Sequence, residues 1–369
     1  MDSRAVRRFD FVMIALAAAL VIFGAILIYS AALSAYPDGI TADHPLFKQI
    51  IFALLGLGVM VLVTWLDYRM FGQMAPALYA LAVLMLVVVL FIGDSAYGST
   101  RWFSFAGQQI QPSEIAKLLT IITLARYFAD RQARMQEVRV FLESLALAAV
   151  PAVLVLVEPD MGTALVFGAV WVGMVLMAGA PPRYVLVLLG LMVSFIPFGA
   201  LAVMGDYQRE RFTTWIDPNS DPLGGGFNIL QSEIGVGSGG LFGKGLTHGT
   251  QTQLDFLQTS TTDYIFSVLG EELGLAGALL LLALFTALLY RGIRAAGLAQ
   301  DPFGRLLATG IVVMVLFQVF INVAVNVRLV PVTGIPLPFI SQGGSSLIMV
   351  FAALGLLEGV VLRHKKIEF

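Results

Sequence analysis

Ten apolar stretches, most about 17–24 residues long, dominate this 369-residue chain. They lie at 11–34, 46–65, 74–92, 113–129, 141–157, 162–179, 184–204, 262–290, 305–327 and 344–362. A helix needs about 20 mainly apolar residues to cross about 30 Å of hydrocarbon, and such runs have no stable place on a water-exposed surface. Composition agrees: 58% of the residues are hydrophobic and 12% charged, against about 25% charged in a soluble domain. That charge cannot coat a soluble body of this size. A net charge of −2 offers no basic field for nucleic acid. The absence of cysteine excludes a disulfide framework, a thiolate metal site and a thiol nucleophile. The expected fold is an all-α polytopic integral membrane protein of about ten transmembrane helices, one membrane domain over 1–369. The run from Phe11 to Ala32 is too long for a signal peptide's apolar core, so it reads as the first span.

Lysine and arginine set the orientation. With the N-terminus in the cytoplasm, only Lys48, Arg101, Arg209, Arg211, Lys244 and Arg328 fall outside. Lys117 falls within a span. All the others, among them Arg4, Arg7, Arg8, Arg126, Arg131, Arg134, Arg139, Lys365 and Lys366, fall inside. Ten spans return the C-terminus to the same side, so both termini are expected in the cytoplasm. The basic loop around Arg126–Arg139 reads as an anchoring feature of the inner face.

One connection is long: residues 205–261, on the outer side between the seventh and eighth spans. It is rich in glycine yet carries spaced apolar residues, including Phe227, Ile229, Ile234, Leu241 and Phe242. Disordered segments lack these, so the loop should fold back on the membrane, with an amphipathic helix near 226–235. Its SGGLFGKG run is not a phosphate-binding P-loop. Ser238 stands where the first glycine belongs, and Gly245 where Ser or Thr should follow Lys244. Lys244 remains a candidate phosphate contact; the alternative is a tight glycine turn.

Ionisable groups at membrane depth are costly and point to function. Glu114 and Lys117, three apart in QPSEIAK, can pair on one helical face and line a polar cavity. Glu158 and Asp160 occupy the short turn EPDMG, where Asp160 can also cap the next helix. Arg101 follows Asp94 in an outer loop and, beside Trp102, is either an interfacial anchor or an anion contact. Arg209 and Arg211 in DYQRERF can hold anionic groups or pair locally with Glu210 or Asp206. Asp263, just ahead of the eighth span, is placed either to complement a helix dipole or to act as a general base. Of Glu271 and Glu272, one is expected to face the bundle. His44, His248 and His364 are too scattered for a metal triad. No serine-nucleophile signature is present. The remaining chemistry is that of carboxylates and cations beside the membrane, suited to an anionic, lipid-linked substrate.

At these residues the chain resembles the SEDS family (shape, elongation, division and sporulation). The matching segments run in order: GSTRWFSF, QPSEIAK, EPDMGTAL, DYQRERF, DPNSDPLGGGFNILQSEIGVGSGGLFGKG, HGTQTQLDFL, TDYIFSVLGEELGL and PLPFISQGGSS. HGTQTQLDFL and the short tails are more similar to the elongation branch than to the division branch. One departure stands out: the family's LPxxHTDFIF pattern reads LQTSTTDYIF here, with Gln258 and Thr261 at the Pro and His places. Asp263 stays in register.

The resemblance implies a peptidoglycan glycosyltransferase that polymerises lipid II at the outer face of a bacterial cytoplasmic membrane. It implies a class B penicillin-binding protein as partner, and contact with membrane lipids. Asp263 is then the expected catalytic base or acceptor-orienting carboxylate. Arg101, Arg209, Arg211 and Lys244 are candidates for the pyrophosphates, with Glu114, Lys117 and Asp160 as further substrate-binding residues. A divalent cation, Mg²⁺ or Mn²⁺, could bridge pyrophosphate and carboxylate; no cofactor is required by the sequence. Two rival readings are a lipid II flippase, which needs polar access from both faces, and a scaffold that activates the partner. The reactive-looking groups cluster on one face, which favours catalysis.

Overall fold

The computed structural model describes residues 9–37, 39–96, 99–105, 108–203, 206–221 and 224–364. Arg4, Arg7, Arg8, Lys365 and Lys366, used above for orientation, lie outside them, as do the side chains of Asp94 and Asp206. The helices are α1 (Phe11–Ala32), α2 (Pro45–Trp65), the short α3 (Tyr68–Gln73), α4 (Ala75–Ile92), α5 (Pro112–Asp130), α6 (Val138–Val157), α7 (Met161–Met177) and α8 (Pro182–Val203). They continue with α9 (Asp206–Ile216), α10 (Gly225–Ser238), the short α11 (Thr250–Gln253), α12 (Ile265–Leu298), α13 (Pro302–Asn326) and α14 (Gly344–Leu362). Helices occupy all ten apolar segments. Seven of them are long and apolar enough to cross a membrane, which makes the chain a helical, multi-pass membrane protein.

The ends of these helices follow from local chemistry. Asp10 accepts from Met13 N at 3.2 Å to start α1, and Asp301 accepts from Gly304 N at 2.9 Å to start α13. Pro45, Pro112 and Pro302 open α2, α5 and α13, where a missing N–H breaks no helical bond. Helices α13 and α14 are the most enclosed of the seven, with 72% and 78% of their most apolar windows buried, against 17–33% for the rest. Helix α5 joins them at the centre, which explains why it tolerates Glu114 and Lys117. It meets protein rather than lipid on most of its surface.

The loop between α4 and α5 forms a small antiparallel sheet, β1 (Asp94–Ala96), β2 (Ser99–Phe105) and β3 (Gln108–Ile110), in that order. The otherwise all-α expectation did not include it. In the large connection, the amphipathic helix expected near 226–235 is α10, which buries Gly226, Ile229, Ser232 and Gly235 along one face.

The eighth predicted span departs most from expectation. Helix α12 begins at Ile265 and breaks at Gly274, whose φ of 63° and ψ of −159° lie in a region open essentially only to glycine. In an unbroken helix Leu275 N and Ala276 N would donate to the carbonyls of Glu271 and Glu272. Here they donate to Gly240 O and Leu241 O at 2.9 and 3.0 Å, while Lys244 N and Gly245 N donate to the freed Glu271 and Glu272 carbonyls at 3.0 and 2.9 Å. The glycine-rich turn is thus spliced into the helix, and these four backbone groups released by the break are paired again. A Cβ on Gly239 would stand 1.9 Å from Gly270 O, so that close approach also requires glycine.

Both Glu271 and Glu272 face the interior, where one was expected. Glu271 accepts from Lys244 Nζ at 2.7 Å and Thr250 Oγ1 at 2.9 Å. Glu272 accepts from Ser30 Oγ at 2.6 Å, tying α1 to the break. At the other end of the bundle, Arg291 on α12 donates to Asp10 at 2.7 Å, and Asp10 N donates to Glu358 on α14 at 2.7 Å.

A Cβ on Gly274 would meet Gly243 N at 2.4 Å. Gly274→Ala should therefore lower unfolding free energy by about 2–4 kcal/mol through steric conflict and backbone strain. Gly58, with nothing near its Cβ position, is the control: Gly58→Ala should be neutral or stabilising by up to about 1 kcal/mol. Thermal unfolding of the detergent-solubilised protein, followed by loss of the monodisperse peak, measures both.

Candidate active site

Asp263 lies two residues ahead of α12, outside the spanning helix, at the end of the bundle away from Asp10. Its backbone is fixed before its side chain is used. The Asp263 carbonyl accepts from Asn326 Nδ2 at 2.9 Å and Asn322 Nδ2 at 3.2 Å, both on α13. Asn326 Oδ1 in turn accepts from Ser267 N at 3.0 Å and Ser267 Oγ at 2.7 Å. On the opposite side the PLPFISQ segment closes in. Ser341 Oγ donates to Thr262 O at 2.6 Å, and Gln342 N donates to Thr261 O at 2.9 Å. Burying these amides without partners would cost about 1–3 kcal/mol each, so the network defines one conformation of the Thr261–Asp263 backbone.

The two departures from the family pattern are accommodated in this network. Thr261 Oγ1 donates to Gln342 Oε1 at 3.1 Å, and Gln258 N donates to Asn228 Oδ1 at 3.2 Å. Each replacement sits in a segment held from both sides.

The Asp263 carboxyl is half-buried. Burial pushes its pKa above the ordinary aspartate range; Arg211 opposes that most, Asp160 adds to it, and Arg101 opposes it further. These four are the charged groups of the site. Arg211, on α9, also donates to Val332 O at 3.1 Å, which brings the DYQRERF helix against the segment after α13. Asp160 caps α7 as expected, accepting from Thr163 N at 3.0 Å, from Thr163 Oγ1 at 2.9 Å and from Gln111 Nε2 at 3.2 Å. Arg101 is buried and donates Nε to Glu158 O at 2.8 Å and Nη2 to Pro159 O. It holds the EPD turn that carries Asp160.

The remaining predicted site residues fall elsewhere. Glu114 and Lys117 pair at 2.8 Å, both about 3% exposed, one turn below Gln111. Lys244 is engaged with Glu271 and Thr250 at the helix break. Arg209 stands exposed on α9. The charges that act on Asp263 most plainly are those of Arg211, Asp160 and Arg101. Four residues that position Asp263 carried no sequence-based role: Asn322, Asn326, Ser341 and Gln342. Two asparagines four apart in an apolar span were the available signal, since such groups are expensive there without partners.

Glu158 is fully buried, and neither carboxyl oxygen has a partner among the described residues. It lies in the turn between α6 and α7. Burial, reinforced by Asp160 and partly offset by Arg101, pushes its pKa up to about 8. A neutral carboxyl thus stands behind Asp160 at neutral pH.

This helical, multi-pass architecture with a carboxylate site at one end defines a class of membrane protein, and comparison with known proteins gives the family. The family model FTSW_RODA_SPOVE, described as a cell cycle protein, matches residues 10–366. The chain belongs to that family. It is 40% identical over 376 residues to the probable peptidoglycan glycosyltransferase FtsW of Geobacter metallireducens, covering 99% of this chain and 98% of the relative. It is 38% identical over 350 residues to the peptidoglycan glycosyltransferase MrdB of Escherichia coli K12, covering 95% and 94%. Among solved structures, a chain from a work on how a peptidoglycan synthase complex coordinates polymerization and crosslinking superposes with a TM-score of 0.81 at 32% identity. The match covers 96% of this chain and 97% of that one.

Because Glu158 is neutral in the fold and ionised in the unfolded chain above about pH 4.5, folding takes up a proton there. Stability from this group falls as pH rises from about 4.5 to 8. Glu158→Gln removes that loss. Its stabilisation relative to the parent should grow between pH 5 and pH 8 by an amount on the order of 2 kcal/mol. Unfolding midpoints at the two pH values test this, and a pH-independent difference would refute it.

Proposed function

We propose that this chain is a peptidoglycan glycosyltransferase that polymerises lipid II during cell elongation and shape maintenance, and that Asp263 is its catalytic carboxylate. The observation that carries the reading is the site itself. One carboxylate, its backbone held by two buried asparagines, lies within the field of two arginines at the end of a membrane bundle. Family membership supplies the reaction class.

In the reaction, the 4-hydroxyl of an acceptor sugar attacks the anomeric carbon of the donor. The new C–O bond forms as the bond from that carbon to the pyrophosphate oxygen breaks. Asp263 takes the hydroxyl proton, and the pyrophosphate leaves with its lipid and its electron pair. A raised pKa makes Asp263 a stronger base once ionised. Arg211 favours its ionised form and, with Arg209, meets the departing negative charge. Arg101 acts through the Glu158–Pro159 turn, setting Asp160 behind Asp263. Glu114 and Lys117 form the polar floor below Gln111, and Lys244 holds the loop that leads to Asp263. Among the described residues no group of three or more His, Asp or Glu is placed to hold a metal.

The topology belonging to this reading has ten spans, both termini in the cytoplasm and the 205–261 loop outside. The whole chain forms one membrane domain in the bacterial cytoplasmic membrane. A class B penicillin-binding protein crosslinks the product. The chain lacks cysteine, so single cysteines report sidedness cleanly. In intact spheroplasts an impermeant maleimide should label Leu254→Cys on the exposed loop, but label Arg134→Cys only after permeabilisation. The reverse pattern would invert the topology.

Polymerisation of purified lipid II in detergent, with a partner whose transpeptidase is blocked, should give a glycan ladder. Asp263→Ala should reduce it by about 10²-fold or more at matched folding and partner binding; an intact ladder removes Asp263 from the chemistry. The acid limb of the rate profile should also move. Arg211 opposes the upward shift of the Asp263 pKa, so Arg211→Gln should displace the limb to higher pH. A limb that stays in place would separate Arg211 from Asp263.

A further inference from the structure

Helix α13 ends in a turn that favours glycine and holds an arginine. Arg328 N donates to Val325 O at 3.0 Å and Leu329 N to Ala324 O at 2.8 Å, the two bonds that close a helix around one residue in the left-handed conformation. That residue is Arg328, with a φ of 57°. Glycine takes such a place without strain, whereas a Cβ there is crowded by the following carbonyl. What the arginine reaches gives a reason for the strain. Its Nη1 donates to Glu233 Oε2 on α10 at 3.3 Å, and its Nη2 donates to Ile216 O at the end of α9 at 3.3 Å. Its own carbonyl accepts from Trp215 Nε1, also on α9, at 3.2 Å. One residue therefore ties α9 and α10 to the end of α13.

Each of these elements carries part of the site. Helix α13 carries Asn326, two residues before Arg328, which holds the Asp263 carbonyl at 2.9 Å. Helix α9 carries Arg211, one turn before Trp215. Helix α10 leans on the same network, because Ser232 Oγ donates to Asn326 O at 3.0 Å. A second attachment of α9 to the segment after α13 is made by Arg211 itself, on Val332 O. Without Arg328, the cation that faces the reaction would also have to hold its own helix in place. We infer that Arg328 is a positioning residue for the glycosyl transfer: it fixes α9 against the end of α13, and thereby fixes Arg211 relative to Asp263. It acts through Arg211. The consequence for rate rests on the glycosyltransferase reading; the consequence for structure rests on the geometry alone. A guanidinium suits the task, since its planar fork offers separate N–H groups to a carboxylate on one side and a carbonyl on the other.

Arg328→Gly tests this cleanly, because it gives the helix end the residue its φ favours and removes only the side chain. The chain has no cysteine, so the full-length protein can carry two nitroxides, at Thr213→Cys on the exposed side of α9 and Leu279→Cys on the exposed side of α12. The dipolar distance distribution should be narrow in the parent and should broaden or shift in Arg328→Gly. Trp215→Phe, which leaves Arg328 intact and removes one bond from the α9 side, should change it in the same sense. A distribution unchanged by Arg328→Gly would overturn the inference. If that variant does not fold, Trp215→Phe decides by the same criterion. In the polymerisation assay, with the crosslinking-blocked partner, Arg328→Gly should lower kcat about tenfold and move KM less, as expected for a displaced group that acts in the transition state. Added to Arg211→Gln, it should slow the reaction no further; losses that multiply would show that Arg328 does not act through Arg211, and refute the inference. If the parent itself gives no glycan ladder, the reaction reading fails, and the distance measurement still decides whether Arg328 places α9.

Discussion

Backbone polar groups released inside an apolar environment must find partners, and the break in α12 at Gly274 shows how far this chain goes to supply them. Four groups are freed, two N–H and two C=O, and four groups of the Gly239–Gly245 turn replace them one for one. The break can exist only where a turn of the right length approaches backbone to backbone, which the glycines at 239, 243 and 274 allow. The benefit is positional. The buried first part of α12 is held by protein, while Leu275 and Leu279 beyond the break meet the surroundings. Asp263, at the head of the buried part, is thereby attached to the bundle rather than to a freely moving loop. Lys244 and Glu271 reinforce the splice, so a cation that reads as a phosphate ligand in sequence has a structural task in the fold.

The buried charges follow one logic. Most buried carboxylates among the described residues are partnered, Glu358 through one oxygen only. Glu271, Glu272, Asp160 and Asp10 accept two or more hydrogen bonds each or pair with a cation. Glu158 has no hydrogen-bond partner for its carboxyl among the described residues and is pushed towards the neutral acid instead. Asp263 stands apart from both solutions: it is half-buried, its pKa raised by burial and drawn back by Arg211. A carboxylate poised in that way is suited to proton transfer, whereas a fully satisfied one is not.

Much of this was legible in sequence because lipid imposes a strong pattern. The apolar runs, Asp160 ahead of α7 and the Glu114–Lys117 spacing have local causes: helices stand on the runs, Asp160 caps α7 and Glu114 pairs with Lys117. The break at Gly274 was not legible, because an apolar run with one glycine reads the same whether or not a distant turn is spliced into it. The sheet after α4 was missed because its strands are short. The positioning network around Asp263 was missed for a further reason. Asn322, Asn326 and Ser341 act on backbone atoms of a segment about 60 to 80 residues away in sequence, and no spacing rule reports such a contact.

The two arginines nearest Asp263 illustrate why residue type alone does not assign a role. Arg101 spends at least two donors on the carbonyls of Glu158 and Pro159, so its guanidinium is committed to the shape of the turn bearing Asp160. Its charge still reaches Asp263, but a lysine could not reproduce the planar two-carbonyl grip. Arg211 also holds a carbonyl, that of Val332, yet it lines a cavity between the start of α7, α9 and the Val330–Thr333 segment. One guanidinium is therefore committed to the turn that bears Asp160, and the other lines an open cavity. The division arises from what each fork can reach: α9 carries Arg211 to the edge of the bundle, whereas β2 carries Arg101 onto the end of α6.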